Sequence, residues 1–70
     1  MKISARNQLK GIIISVEKGA VNAIVVIDIG GGKTITSSIT NSAVQELGLK
    51  VGIDAYAIIK ASNVMIGVDE

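Results

Sequence analysis

The 70-residue sequence predicts an all-β (mainly β) domain, a small β-barrel with one short helix between its third and fourth strands. Two observations carry this. Aliphatic, β-branched runs recur along the whole chain and are separated by glycine or polar turn residues. Helical spacing occurs in one place, around Ala43–Leu47, with helix-capping residues on either side.

The first strand is read from Asn7 to Val16, around Ile12-Ile13-Ile14. Its apolar character is continuous rather than alternating, which predicts cover on both faces. Glu17-Lys18-Gly19-Ala20 reads as a turn, with Gly19 free to take positive φ. Val21–Ile29 is the second strand, and Asn22 and Asp28 are its only polar residues. Gly30-Gly31-Gly32 then reads as a hairpin connection. In the third strand, Lys33–Ile39, Ile35, Ser37 and Ile39 alternate with Thr34, Thr36 and Ser38, so one face is wet.

Thr40-Asn41-Ser42 are N-cap residues, and Ser42 with Gln45 has the spacing of a capping box. Ala43, Val44 and Leu47 share the inner face of a helix of about one and a half turns, closed by Gly48. Lys50–Asp54 is a loop and Ala55–Lys60 a fourth strand. After a break at Ala61-Ser62-Asn63, Val64–Val68 reads as a fifth strand, and Asp69-Glu70 as a frayed tail. This strand count and helix position suit an OB-like barrel.

With no linker or low-complexity stretch, residues 1–70 are one domain. A core this small is marginal alone. Disulfides and thiolate or imidazole metal sites are excluded, because Cys and His are both absent. Oligomerisation remains, and an apolar fraction of 49% predicts that some of that surface lies between subunits. A net charge of +1 and a single aromatic residue, Tyr56, argue against nucleic acid as a partner. No apolar run is long enough to span a membrane. A polar block, Ser4–Gln8, stands where the apolar region of an export signal would lie, so a cytoplasmic location is expected.

Gly32-Lys33-Thr34 resembles the end of a phosphate-binding loop, but Ile27 occupies the position of the required earlier glycine and the following residues are β-formers. Catalysis has little support. No Cys or His can act as nucleophile or base, and the carboxylates are unpaired along the sequence. The hydrogen-bond donors are more telling. Ser4, Arg6, Asn7, Gln8 and Lys10 open the first strand; Thr40, Asn41 and Ser42 precede the helix; Lys60, Ser62 and Asn63 follow the fourth strand. None of these clusters holds a carboxylate, which suits an acceptor-only oxyanion. From this chemistry alone, an anion site and a set of solvated ends and caps both stay open.

Ser4-Ala5-Arg6-Asn7-Gln8-Leu9-Lys10-Gly11 resembles the N-terminal signature of the Mop family, the molybdenum–pterin-binding proteins or molbindins. Ile39–Ser42, Glu46–Leu49 and Ile59–Ile66 resemble the family pattern in the same order, so the likeness spans nearly the whole chain. It implies an OB-like barrel, assembly as a homohexamer (three dimers about a threefold axis), and capture of molybdate or tungstate at subunit interfaces for intracellular molybdenum storage, without enzymatic turnover. Molybdopterin is a further, weaker candidate ligand. Carried over, Ser4, Ala5 and Arg6 would contribute from one subunit. Lys60, Ala61 and Ser62 would complete the same site from a neighbouring chain. Thr40 and Ser42 belong to a third binding element, and the turn Gly19-Ala20-Val21-Asn22 to a backbone-lined anion site near the threefold axis. The alternatives are a ligand-free OB-like oligomeric interaction module, an oligonucleotide-binding OB domain and, more distantly, an enzyme acting on a pterin.

Overall fold

Strand pairing in this chain makes a single four-stranded antiparallel sheet in the order β3-β2-β1-β4, seen in a computed structural model that describes residues 1–70. The strands are β1 (Asn7–Lys18), β2 (Asn22–Gly30), β3 (Lys33–Thr40) and β4 (Asp54–Ile59). Helix α1 (Asn41–Leu47) follows β3, and a 3-10 turn, η1 (Ala61–Asn63), follows β4. The long β1 is the hinge of the design. Its first half pairs with β4, from Asn7 opposite Ile59 to Ile12 opposite Asp54. Its second half pairs with β2, from Ile12 opposite Asp28 to Lys18 opposite Ala23.

The sheet curls on β1, and two devices allow it. Between Ile13 and Ser15 the register shifts, leaving Ile14 as an extra residue in a β-bulge. The shift also resets the side-chain alternation, so both Ile13 and Val16 face the core. The second device is Gly11. A Cβ there would overlap the Asp28 carbonyl oxygen and stand 2.6 Å from Ile27 Cγ2, so only glycine lets β2 close this tightly over β1.

The core is the concave side of the curl. Ile13, Ala23, Val25, Ile27, Val44 and Ala57 are buried, and Val16, Ile35, Ile39, Leu49 and Ile53 pack against them. Helix α1 plugs one end with Val44. The expected alternation of β3 is present, with Ile35, Ser37 and Ile39 half-buried and Thr34, Thr36 and Ser38 exposed. The Gly30–Gly32 connection also forms, all three residues having positive φ. Gly48 closes α1 in the left-handed conformation.

Four expectations are corrected. Ile12 and Ile14 are about half exposed, because a single curled sheet buries only its concave face and the convex side of β1 has no cover within one chain. Gly19 does not take positive φ; β1 runs on to Lys18, and the turn closes by Gly19 N–H donating to the Asn22 carbonyl at 2.8 Å. The helix cap is Thr40, whose Oγ1 accepts from Ala43 N at 3.1 Å, rather than a Ser42–Gln45 box. Val64–Val68 forms no strand. After η1 the chain leaves the sheet, and without a neighbouring backbone a strand cannot form. Its side chains are open to solvent, Met65 at 92% and Ile66 at 87%.

The sheet is therefore a barrel lacking one stave. Between the free edges of β3 and β4 lies an apolar groove of about 490 Å³, lined by Ile35, Ile39, Ile53, Ala55, Ala57 and Ile59 among others.

Candidate oxyanion site

The β1–β4 ladder decides where the predicted site residues go. Its terminal pair is Asn7 with Ile59, fixed further by Asn7 Nδ2 donating to the Ile59 carbonyl at 3.1 Å. Ser4-Ala5-Arg6 lies immediately before that pair, and Lys60-Ala61-Ser62 immediately after it. Two clusters more than fifty positions apart in sequence thus meet at one end of the sheet. Within one chain the register leaves Lys60–Ser62 beyond the same ladder end as Ser4–Arg6. Asn7, one of the donors at the start of the first strand, spends its side-chain amide on this end of the ladder.

The chemistry at this end is all donor. Arg6 and Lys60 are exposed and neither has a carboxylate partner; the one ion pair of the chain is Lys10 with Asp54 at 3.9 Å, itself exposed. Two uncompensated cations just beyond the last ladder pair repel each other unless an anion lies between them. Lys60 caps η1, whose first N–H groups have no partner within so short a turn. The N–H groups of Ala5, Arg6, Ala61 and Ser62 make no hydrogen bond within the chain. With the hydroxyls of Ser4 and Ser62, this is a set of neutral and charged donors with no acceptor-only group among them.

The other predicted residues gather at the opposite end. Thr40 pairs with Asn22 at the end of the β2–β3 ladder. Asn41 N–H donates to the Val21 carbonyl at 2.8 Å and Asn41 Nδ2 to the Gly19 carbonyl at 2.9 Å. These bonds bring the turn Gly19-Ala20-Val21-Asn22 against Thr40 and Ser42, whose hydroxyls lie 3.2 Å apart. Asn41 Oδ1 is buried with no partner. The two clusters lie at opposite ends of the 12-residue β1 in a molecule 38 Å long. One chain therefore cannot bring both clusters to one small anion.

The TOBE domain family matches residues 3–66. A probable molybdenum-pterin-binding protein of Haemophilus influenzae is 64% identical over 69 residues, which cover 99% of this chain and all of that protein. The chain belongs to the Mop (molbindin) family of TOBE-domain proteins. Among solved structures, MopII of Clostridium pasteurianum superposes with a TM-score of 0.90 at 49% identity, covering 96% of this chain and all of that one. The cytoplasmic molybdate-binding protein ModG, in a form with molybdate bound, superposes with a TM-score of 0.93 at 54% identity. That alignment covers 99% of this chain and 49% of ModG. These likenesses establish the OB-like molbindin fold for this chain, consistent with its curled sheet and single α-helix.

Proposed function

We propose that this Mop-family chain captures molybdate or tungstate as an intact oxyanion, by hydrogen bonds and charge rather than direct coordination, for intracellular molybdenum storage. The observation that carries the reading is that Arg6 and Lys60 flank the terminal Asn7–Ile59 pair of the ladder, without a carboxylate to neutralise either. Molybdate is a tetrahedral dianion whose oxygens only accept. Arg6 and Lys60 match its charge, while Ser4, Ser62 and the N–H groups of Ala5 and Ala61 supply directed bonds. The molybdate-bound form of ModG and the molybdenum-pterin-binding relatives support the same ligand class. In this reading the anion is bound without turnover, and the donor set holds no His, Cys or carboxylate to activate its hydroxyls.

In this reading Thr40 and Ser42 reach the anion from another copy, because β1 holds them a strand's length from Arg6. The turn Gly19–Asn22 takes the separate backbone-lined position near a threefold axis. Sites shared between copies fit a cytoplasmic homohexamer, and ligand then stabilises the assembly by mass action. The test is calorimetry with molybdate and with tungstate, on the wild type and on Arg6→Ala. Removing a charged hydrogen-bond partner forfeits about 1.5–3 kcal/mol, so affinity falls by roughly ten- to a hundredfold. No heat from the wild type at millimolar oxyanion would sink the proposal, as would unchanged affinity in Arg6→Ala.

A further inference from the structure

The turn between β1 and β2 lacks half of its expected closure. In a hairpin whose loop is Ala20-Val21, Gly19 and Asn22 would exchange two main-chain bonds. One is made, Gly19 N–H to the Asn22 carbonyl at 2.8 Å, and the bond from Asn22 N–H to the Gly19 carbonyl is absent. That carbonyl accepts instead from Asn41 Nδ2 at 2.9 Å, and Asn41 N–H donates to the Val21 carbonyl at 2.8 Å. The C=O and N–H of a trans peptide point in opposite directions. Drawing the Gly19 carbonyl toward Asn41 therefore turns the Ala20 N–H away from it. The N–H groups of Ala20 and Val21 make no hydrogen bond within the chain, and both residues are exposed. Asn41 holds this arrangement with half of its amide unused, because Oδ1 is buried without a partner. An acceptor shut away from water without a donor is destabilising. Capping of α1 does not explain the choice of asparagine, since Thr40 Oγ1 supplies the cap. Helix propensity does not either, since alanine is the better residue there. The carboxamide supplies one thing alanine lacks, a neutral donor for the Gly19 carbonyl.

We propose that Asn41 is a positioning residue, which withholds the Gly19 carbonyl from Asn22 and so keeps the N–H groups of Ala20, Val21 and Asn22 available together to an oxyanion. Asn41 touches no ligand itself. Without its amide the Gly19 carbonyl takes the Asn22 N–H, one donor is consumed and the Ala20 peptide swings round. An anion must then break that bond before it binds, and its apparent affinity falls by the fraction of turns that stay open. One net main-chain bond corresponds to a loss of about five- to tenfold. The inference rests on the reading above only where it gives the turn Gly19–Asn22 an anion of its own.

Isotope-labelled wild type and Asn41→Ala are titrated with molybdate and followed through the amide resonances of Ala20, Val21 and Asn22, while urea melts measure stability. The amides of Ala5 and Ala61, beyond the other end of β1, report the Arg6–Lys60 end separately. The turn amides of the wild type should move with added molybdate, and those of Asn41→Ala should need about five- to tenfold more ligand. Stability should change little, because the substitution that removes Nδ2 also removes the orphaned Oδ1. Val44→Ala, which loosens the core without touching the turn, should titrate there like the wild type. Equal turn affinity in wild type and Asn41→Ala would overturn the proposal, and so would an equal loss in Val44→Ala, the mark of general softening. A wild type whose Ala5 and Ala61 amides respond while its turn amides do not would refute this inference and leave capture at the Arg6–Lys60 end standing. Silence at both ends would sink the oxyanion reading and the inference with it. If Asn41→Ala fails to assemble, Asn41→Ser, whose hydroxyl is too short to reach the Gly19 carbonyl, takes its place in the same titration.

Discussion

Replacing Gly11 by alanine adds one methyl group at the most crowded point of the sheet. That methyl overlaps the Asp28 carbonyl oxygen and lies 2.6 Å from Ile27 Cγ2. The side chain of Ile27 could turn aside, but it is 5% exposed and packed in the core. The carbonyl belongs to the β1–β2 ladder and cannot move without separating the strands. Overpacking costs about 1–3 kcal/mol, and a clash with backbone belongs at the upper end. We expect Gly11→Ala to lose about 2–3 kcal/mol, a roughly 30- to 150-fold fall in the folding equilibrium. With a urea m-value of about 1 kcal/mol/M for so short a chain, the unfolding midpoint drops by about 2–3 M. Gly48→Ala is the comparison. Gly48 has φ 64 and open space where its Cβ would go, so only the left-handed backbone penalty of about 1 kcal/mol applies. Both variants are measured at the same protein concentration. A Gly11→Ala midpoint within 0.5 M of the wild type, as a rough threshold, or a smaller loss than Gly48→Ala, would refute the close-approach argument.

Other outcomes follow from the same geometry. Thr40→Ala removes the Oγ1 that accepts from Ala43 N and should lower stability by about 1 kcal/mol in urea melts, while Ser42→Ala should do less. Val44→Ala empties the contact between α1 and the sheet at a residue 2% exposed, and should lose about 2 kcal/mol by the same assay. Lys10→Ala should be nearly silent, because its pair with Asp54 is long and exposed on both sides. Lys60→Ala should weaken oxyanion binding about as much as Arg6→Ala in calorimetry, by at least about tenfold.

Much of the fold is legible because it depends on local rules. The alternation Ile35-Ser37-Ile39, the run Gly30-Gly31-Gly32 and the stop at Gly48 each answer to the geometry of a few neighbouring residues. The cap was misread for the same reason. Thr40, Asn41 and Ser42 are chemically equivalent candidates, and the choice falls to Thr40 because Asn41 is held by Val21 and Gly19 on another strand pair. Ile12-Ile13-Ile14 looked like a strand buried on both faces, whereas the continuity also reflects a bulge that shifts the alternation at Ile14. No pattern in one segment can announce a register shift set by its partner. From the residues alone, Ser4–Arg6 and Lys60–Ser62 were legible only as two similar donor clusters, and it was the family resemblance that implied one shared site. Their adjacency is a property of the β1–β4 register, fixed by pairs such as Gly11 with Ala55 deep in the ladder. Val64–Val68 was read as a strand from composition, and composition does not say whose edge a strand will join.

The length of β1 has a genetic consequence. It keeps the Arg6–Lys60 end and the Thr40–Ser42 end of one chain apart. If an oxyanion needs both, each site draws its halves from different chains, and two defective alleles can repair one another. Arg6→Ala chains and chains with Thr40→Ala and Ser42→Ala together, each poor binders alone, would recover about a quarter of the sites when refolded as a random equal mixture. A rigid strand thereby turns a loss in one copy into a deficit that a differently damaged neighbour makes good.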